Sequence, residues 1–270
     1  MRRLGVVGLT GLDLVDGGPL RVGGAAYYAA RALRFLGHPA VVATKFAERD
    51  RAAVAPLFRL GIPVEAGPAS STISFRIDNE GDRRRMAIES LGDPWTPEEA
   101  RGWVARALAG ADYVHAGALT GADFSPETLA TLANGRILSF DGQGLVRRAR
   151  MGKLVLDTDF DRELLRHVDI LKLGEEEADA LGVGHDERSL GSLGVREVVL
   201  TLGRRGAILY ADGLAEHVPT RPLDGVDPTG AGDQFITAYV SYRRLGHAPP
   251  SAARCATDAV FALLAGWPGR

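Results

Sequence analysis

The chain is short of cysteine, lysine, aromatic residues and net charge, and each shortage excludes something. Among 270 residues there is one cysteine, Cys255, so no intramolecular disulfide can form. No cluster of His and Cys at metal-ligand spacing accompanies it. A reducing compartment, the cytoplasm, is the expectation. Lys plus Arg number 32 against 34 Asp plus Glu, a net charge of −2, so no broad positive field would gather nucleic acid or anionic lipid. Only three of the basic residues are lysines, Lys45, Lys153 and Lys172, a bias read here as following the Ala- and Gly-rich composition. No run of 18 apolar residues occurs, and the opening MRRLGVVGLTGLDLV reaches Asp13 too soon for a signal peptide. What is present is ordinary globular usage, 46% hydrophobic and 24% charged with 7% aromatic, in a length that suits one large domain with a substantial core.

Short apolar runs alternate with helix-like stretches almost from end to end, the pattern of βα units around a largely parallel sheet covered on both faces. The predicted core strands are Leu4–Leu9, Ala40–Phe46, Tyr113–Ala116, Ile137–Phe140, Ile170–Leu173 and Val198–Leu202. Thr96-Pro97-Glu98-Glu99 reads as a capping box with proline at the first helical position, and Ser125-Pro126-Glu127 opens another helix in the same way. Gly37 and Gly135 sit where helix C-caps belong. One segment breaks the rhythm. Around Asn79-Glu80-Gly81-Asp82 the chain alternates apolar and polar at period two, which predicts a hairpin. A hairpin alone is marginal, so it is expected to pair with a strand near Leu12–Val15 in a small sheet that projects as a lid.

The most informative stretch is Asp227-Pro228-Thr229-Gly230-Ala231-Gly232-Asp233, followed by an apolar run at helical spacing from Phe235. Gly230 and Gly232 allow a tight turn at a helix N-terminus, where free N–H groups of Gly230, Ala231 and Gly232 form an anion site. Asp233 in the first turn is then a carboxylate able to take a proton from a hydroxyl that attacks a phosphoryl group held by those amides. The plain alternative is a strand-to-helix turn with an acidic residue complementing the helix dipole. The whole string resembles the C-terminal signature of the ribokinase-like, or PfkB, carbohydrate kinases, and other landmarks occur in order from about Leu4 to Leu264.

That resemblance implies a three-layer α/β/α ribokinase-like fold with a mostly parallel central sheet, a single kinase domain over 1–270, and a β lid formed by about 11–22 and 63–92. It also implies an ATP-dependent kinase acting on a hydroxyl of a small sugar or polyol. Asp13, just after the first strand, matches the aspartate that reaches substrate hydroxyls, and Gly23-Gly24 matches the sugar-binding Gly-Gly turn. Thr201, Gly203 and Gly206 resemble the strand and turn along the nucleotide, with Thr257, Val260 and Phe261 expected beside the adenine. Glu177 matches the glutamate of an Asn-x-x-Glu element that organises Mg²⁺ through water, and Asp227 matches a position that binds a monovalent cation such as K⁺ in some members. Asp141-Gly142-Gln143-Gly144-Leu145-Val146-Arg147 looks more like the inositol-kinase-like branch than like ribokinase, with Gln143 facing substrate and Arg147 the transferring phosphate.

The chain departs from the pattern at two places. Tyr28 stands where ribokinase-type sequences have a sugar-contacting Asn, and Gly174 replaces the Asn of Asn-x-x-Glu. These leave a nucleoside kinase, with Tyr28 stacked on a base, and a non-catalytic sugar- or nucleotide-binding relative as open alternatives. A dinucleotide-dependent oxidoreductase is disfavoured, because Gly5, Gly8 and Gly11 lack the Gly-x-Gly-x-x-Gly spacing. Arg76 and Arg83–Arg85 in the hairpin read as a solvated edge, or as recognition of a phosphorylated substrate. The expected assembly is a monomer or a homodimer paired through the lid.

Overall fold

The computed structural model describes residues 3–80, 83–223, 225–267 and 269. Fourteen strands occur among them: β1 (Arg3–Gly8), β2 (Gly11–Val15), β3 (Arg21–Gly23), β4 (Ala40–Ala47), β5 (Val64–Ala69), β6 (Ile73–Glu80), β7 (Arg83–Ser90), β8 (Ala111–Gly117), β9 (Ile137–Asp141), β10 (Gly152–Lys153), β11 (Ile170–Gly174), β12 (Glu197–Thr201), β13 (Ala207–Ala211) and β14 (Leu214–Val218). Nine form one sheet in the order β14-β13-β12-β11-β9-β8-β1-β4-β5. It is parallel from β12 to β5, and β13 and β14 close it as an antiparallel meander.

The strands are apolar at nearly every position because both faces are covered. Val41 and Ala43 belong to one core cluster and Ala40 and Val42 to the other, as the two-residue period of a strand requires. One face carries the helices Gly24–Leu36, Ala231–Arg244 and Pro249–Leu264, through residues such as Leu33, Phe235 and Ala256. The other is covered by shorter helical segments that contribute Val104, Leu129, Ala178 and Leu190. The fold is therefore a three-layer α/β/α sandwich. Its helix ends follow the sequence reading. Thr96 accepts from Glu99 N–H in a full capping box, Ser125 accepts from Thr128 N–H, and Gly37 ends its helix in the left-handed region with φ of 66°.

A second sheet, ordered β10-β7-β6-β2-β3, stands off the carboxyl ends of the main strands. The hairpin pairs antiparallel as β6 and β7, and β2 joins β6 in parallel register. The expected lid span of 63–92 is too wide at its start. Residues 64–69 form β5, the edge of the main sheet, and the small sheet begins at Ile73. Gly152–Lys153 adds a short strand that the sequence reading did not anticipate. Gly81 and Asp82, the middle of the expected hairpin turn, lie outside the described residues.

Candidate active site

The adjacent strands β9, β11 and β12 end at Asp141, Gly174 and Thr201, and the helix Ala231–Arg244 begins beside them. Ligand sites in open α/β sheets lie at such carboxyl ends. Here a cavity of about 180 Å³ opens between the main sheet and the small one. Its polar wall comprises Asp13, Gln143, Arg147, Lys172, Glu177 and Asp233, and the small sheet faces it with Phe75, Ile77 and Met86.

Gly230 caps the helix N-terminus at φ of 77°, a left-handed conformation that only glycine adopts freely. A Cβ on Gly230 would also overlap the Tyr28 ring, so the absence of a side chain there lets Tyr28 pack directly beneath the turn. The expectation of three free amides needs correction. The Ala231 N–H donates to Pro228 O at 3.0 Å, which leaves the N–H groups of Gly230, Gly232 and Asp233 without a backbone acceptor among the described residues. Their three residues line the cavity at the positive end of the helix dipole.

Asp233 is buried at the cavity wall, and its Oδ1 has no hydrogen-bond partner among the described residues. Burial, reinforced by the nearby Asp141 charge, pushes its carboxyl up to about 7, while Lys172 and Arg147 pull it back. Asp13 lies 3% exposed across the cavity and accepts from Tyr28 Oη at 3.4 Å. Its carboxylate sits directly over Gly23, where a Cβ would overlap it. Gly24 lines the cavity itself. Gln143 donates its backbone N–H to Asp141 at 3.0 Å and keeps a buried, unpartnered Oε1. The expected acceptor-side residues thus come together.

Both residues expected beside a cation are paired with cationic side chains of the protein. Glu177 Oε2 accepts from the Gly174 N–H at 2.6 Å and lies 3.4 Å from Lys172 Nζ, and Oε1 stands 4.0 Å from Arg147. Although burial opposes its charge, the two cations outweigh it and hold the Glu177 carboxyl below its ordinary range. A cation drawn to Glu177 would meet Lys172 and Arg147, and no group of three or more His, Cys, Asp or Glu suited to a metal occurs among the described residues. At Asp227 the Oδ2 is bound by Arg21 at 2.6 Å, and Oδ1 accepts both the N–H and the hydroxyl of Thr229. Arg21 thus pairs with the aspartate expected to bind a monovalent cation.

Beyond the glycine turn lie two apolar cavities that share Gly203, Thr220, Ala231 and Val260. One, of about 120 Å³, gathers Thr201, Gly206, Gly232 and Thr257. Its neighbour, of about 260 Å³, holds Phe261 beneath the guanidinium of Arg221, 4.0 Å from the ring centre. The nucleotide-side residues named from the sequence thus line these two adjoining cavities, which meet the Asp13 cavity at Ala231 and Gly232.

Sequence reasoning missed Lys172, although a lysine inside the apolar run of β11, in a chain with three lysines, was a visible signal. It also missed the apolar wall of the small sheet. Arg76 points away from the cavity and pairs with Glu89 at 3.2 Å, while the side chains of Arg83 and Arg84 lie outside the described residues.

Comparison with known proteins agrees with this geometry. Residues 60–260 match the pfkB family carbohydrate kinase profile. A stretch of 114 residues is 38% identical to inositol 3-kinase of Zea mays, covering 42% of this chain but only 27% of the maize protein. A pyrophosphate-dependent kinase of the ribokinase family, solved with a pyrophosphate analog and myo-inositol, superposes with a TM-score of 0.82 at 24% identity, over 100% of this chain and 96% of its own. Arabidopsis thaliana ribokinase, solved with ribose and ATP, gives 0.76 at 20% identity over 98% and 94%. The fold is that of the ribokinases, and the chain belongs to the pfkB family of carbohydrate kinases.

Proposed function

We propose that this protein is an ATP-dependent kinase that phosphorylates a hydroxyl of a small polyol, with an inositol the favoured acceptor. The observation that carries the reading is the pairing of Asp233, buried and with an unpartnered Oδ1, with the unbonded amides of the glycine turn at the wall of a cavity bounded on its other side by Asp13 and Gln143.

In this mechanism Asp13 accepts hydrogen bonds from acceptor hydroxyls, and Gln143 Oε1 accepts a further one, so that a third hydroxyl is oriented toward Asp233. The Asp233 carboxylate takes the proton of that hydroxyl as its oxygen forms the new bond to phosphorus. The bond from phosphorus to the leaving phosphate breaks, and the electron pair departs with ADP. The Gly230, Gly232 and Asp233 amides and the Arg147 guanidinium stabilise charge on the transferring group. A carboxyl near 7 suits a base at neutral pH, because it is partly ionised yet basic enough to take the proton. ATP as donor is supported by the two adjoining cavities from Thr201 to Phe261, apolar enough for a purine and running up to the turn.

An inositol is favoured by the maize inositol 3-kinase similarity and the myo-inositol complex of a structural neighbour. A nucleoside acceptor is disfavoured, since Tyr28 packs against Gly230 and bonds Asp13 instead of presenting a free face to a base. Pyrophosphate is a second donor to test, because the neighbour that binds myo-inositol is pyrophosphate-dependent.

The test is phosphoryl transfer from ATP or pyrophosphate to inositols, ketoses, pentoses and nucleosides, run beside Asp233→Asn. Turnover of a polyol with ATP, lowered at least about 100-fold in the variant, is the expected result. Turnover with pyrophosphate alone would reassign the donor, and silence with every acceptor would leave a binding protein.

A further inference from the structure

Of the chain's three lysines, two are buried, Lys45 and Lys172, against twenty-nine arginines elsewhere. Lys45 is accounted for by its bonds to Pro94 O and Glu99 and by the Trp95 ring beneath it. Lys172 is not. Its ammonium stands at the cavity wall with a side chain 4% exposed, 3.4 Å from both Asp141 Oδ1 and Glu177 Oε2. These are long contacts for charged partners, which normally close to about 2.7–2.9 Å. An ammonium also has three donors, and the third has no acceptor among the described residues. It lies against the glycine turn: a Cβ on Gly232 would come within 3.2 Å of both Lys172 Cε and Nζ. A broader guanidinium would press on that turn, which gives a physical reason for lysine at this position in an arginine-rich chain.

We infer that Lys172 is a catalytic residue whose ammonium binds an oxygen of the transferring phosphoryl group from beneath the Gly230–Gly232 turn, supplying fixed positive charge from the protein itself. Two carboxylates hold it loosely and in low dielectric, so it can tighten onto a phosphate without reorganising the site. The proton and bond balance is that of the proposed transfer; Lys172 donates a hydrogen bond and keeps its proton. The inference deepens the kinase reading and rests on it for the identity of the bound group.

The test measures binding of inorganic pyrophosphate in metal-free buffer, which needs no turnover, with melting temperatures in parallel. Lys172→Met removes the charge but strands Asp141, so Lys172→Met/Asp141→Asn is made beside it to restore neutrality inside the fold. The expected result is a pyrophosphate Kd raised at least about tenfold in both variants, with the double variant regaining most of the wild-type Tm. Wild-type affinity in the double variant would overturn the inference and reduce Lys172 to a counter-ion of Asp141. Failure of the wild-type protein to bind pyrophosphate would overturn it as well. Lysine-dependent binding in a protein that phosphorylates no acceptor would uphold the anion site while sinking the kinase reading.

Discussion

At Asp233 one carboxyl carries two opposite demands. Its burial raises its pKa from the ordinary 3.8 to about 7, and in the proposed mechanism the same burial makes it a competent base. Only the ionised form takes a proton, so kcat is expected to rise with pH through about 7, and measurement of kcat across pH 5.5–9 checks it. The stability consequence has the opposite sign. A group with a raised folded-state pKa contributes stability that is complete below about 4 and lost as pH climbs through about 7. Asp233→Asn is therefore expected to melt several degrees higher than the wild type at pH 8, with the difference vanishing below pH 4 in thermal scans. In the proposed mechanism Asp13 acts differently: it faces the acceptor and not the phosphate. Asp13→Ala is expected to raise acceptor KM at least about tenfold, the worth of one or two charged hydrogen bonds, with pyrophosphate or ATP binding unchanged by calorimetry. That both carboxylates would stand at one cavity was legible in the sequence, Asp233 from the glycine motif around it and Asp13 from its place after the first strand. Lys172 was visible as a rare lysine but its role was not, because that depends on Asp141 and Glu177, which approach it from the end of β9 and from the helix Glu175–Ala180 after β11.

The elements of the small sheet divide their labour by strand alternation. Phe75 and Ile77 of β6 turn inward while Arg76 between them turns out to Glu89, as a two-residue period requires. Met86 of β7 stands directly opposite Ile77 and completes the apolar wall. A polyol bound there would turn its C–H face to the small sheet and its hydroxyls to Asp13 and Gln143. Met86→Ser is expected to raise acceptor KM about tenfold with kcat less affected, on the order of the 1–2 kcal/mol that such apolar contact contributes; steady-state kinetics on the favoured acceptor measure it. The hairpin was legible from its alternation, and its pairing with residues near Leu12–Val15 was borne out. The role of Val64–Ala69 was not, because a short partly exposed strand reads alike at the edge of either sheet, and only its register with Val42–Ala47 assigns it.

Across the whole molecule, the two ends of the main sheet serve different purposes. The chemistry gathers at the carboxyl ends, while the opposite end of β12 holds Glu197, 2% exposed, bound by Arg243 through two nitrogens at 3.0 and 2.8 Å and by Tyr239 Oη at 2.6 Å. Removing Arg243 leaves this buried carboxylate only the Tyr239 hydroxyl and the exposed Arg196 at 3.7 Å, a loss that costs up to about 3–5 kcal/mol. Arg243→Met is expected to lower Tm markedly while leaving acceptor KM of the folded enzyme unchanged; denaturation curves and kinetics on one preparation separate the two. The sequence by itself determined the layered α/β architecture, the capped helices and the glycine turn with its aspartate, because periodicity, caps and tight turns are set by neighbours within a few residues. Only the tertiary structure decided that Arg21 reaches Asp227, that Lys172 and Arg147 flank Glu177, and that the Ala231 amide is already spent. Charges that meet across strands and loops depend on how the layers close, and no local pattern in the chain records that distance.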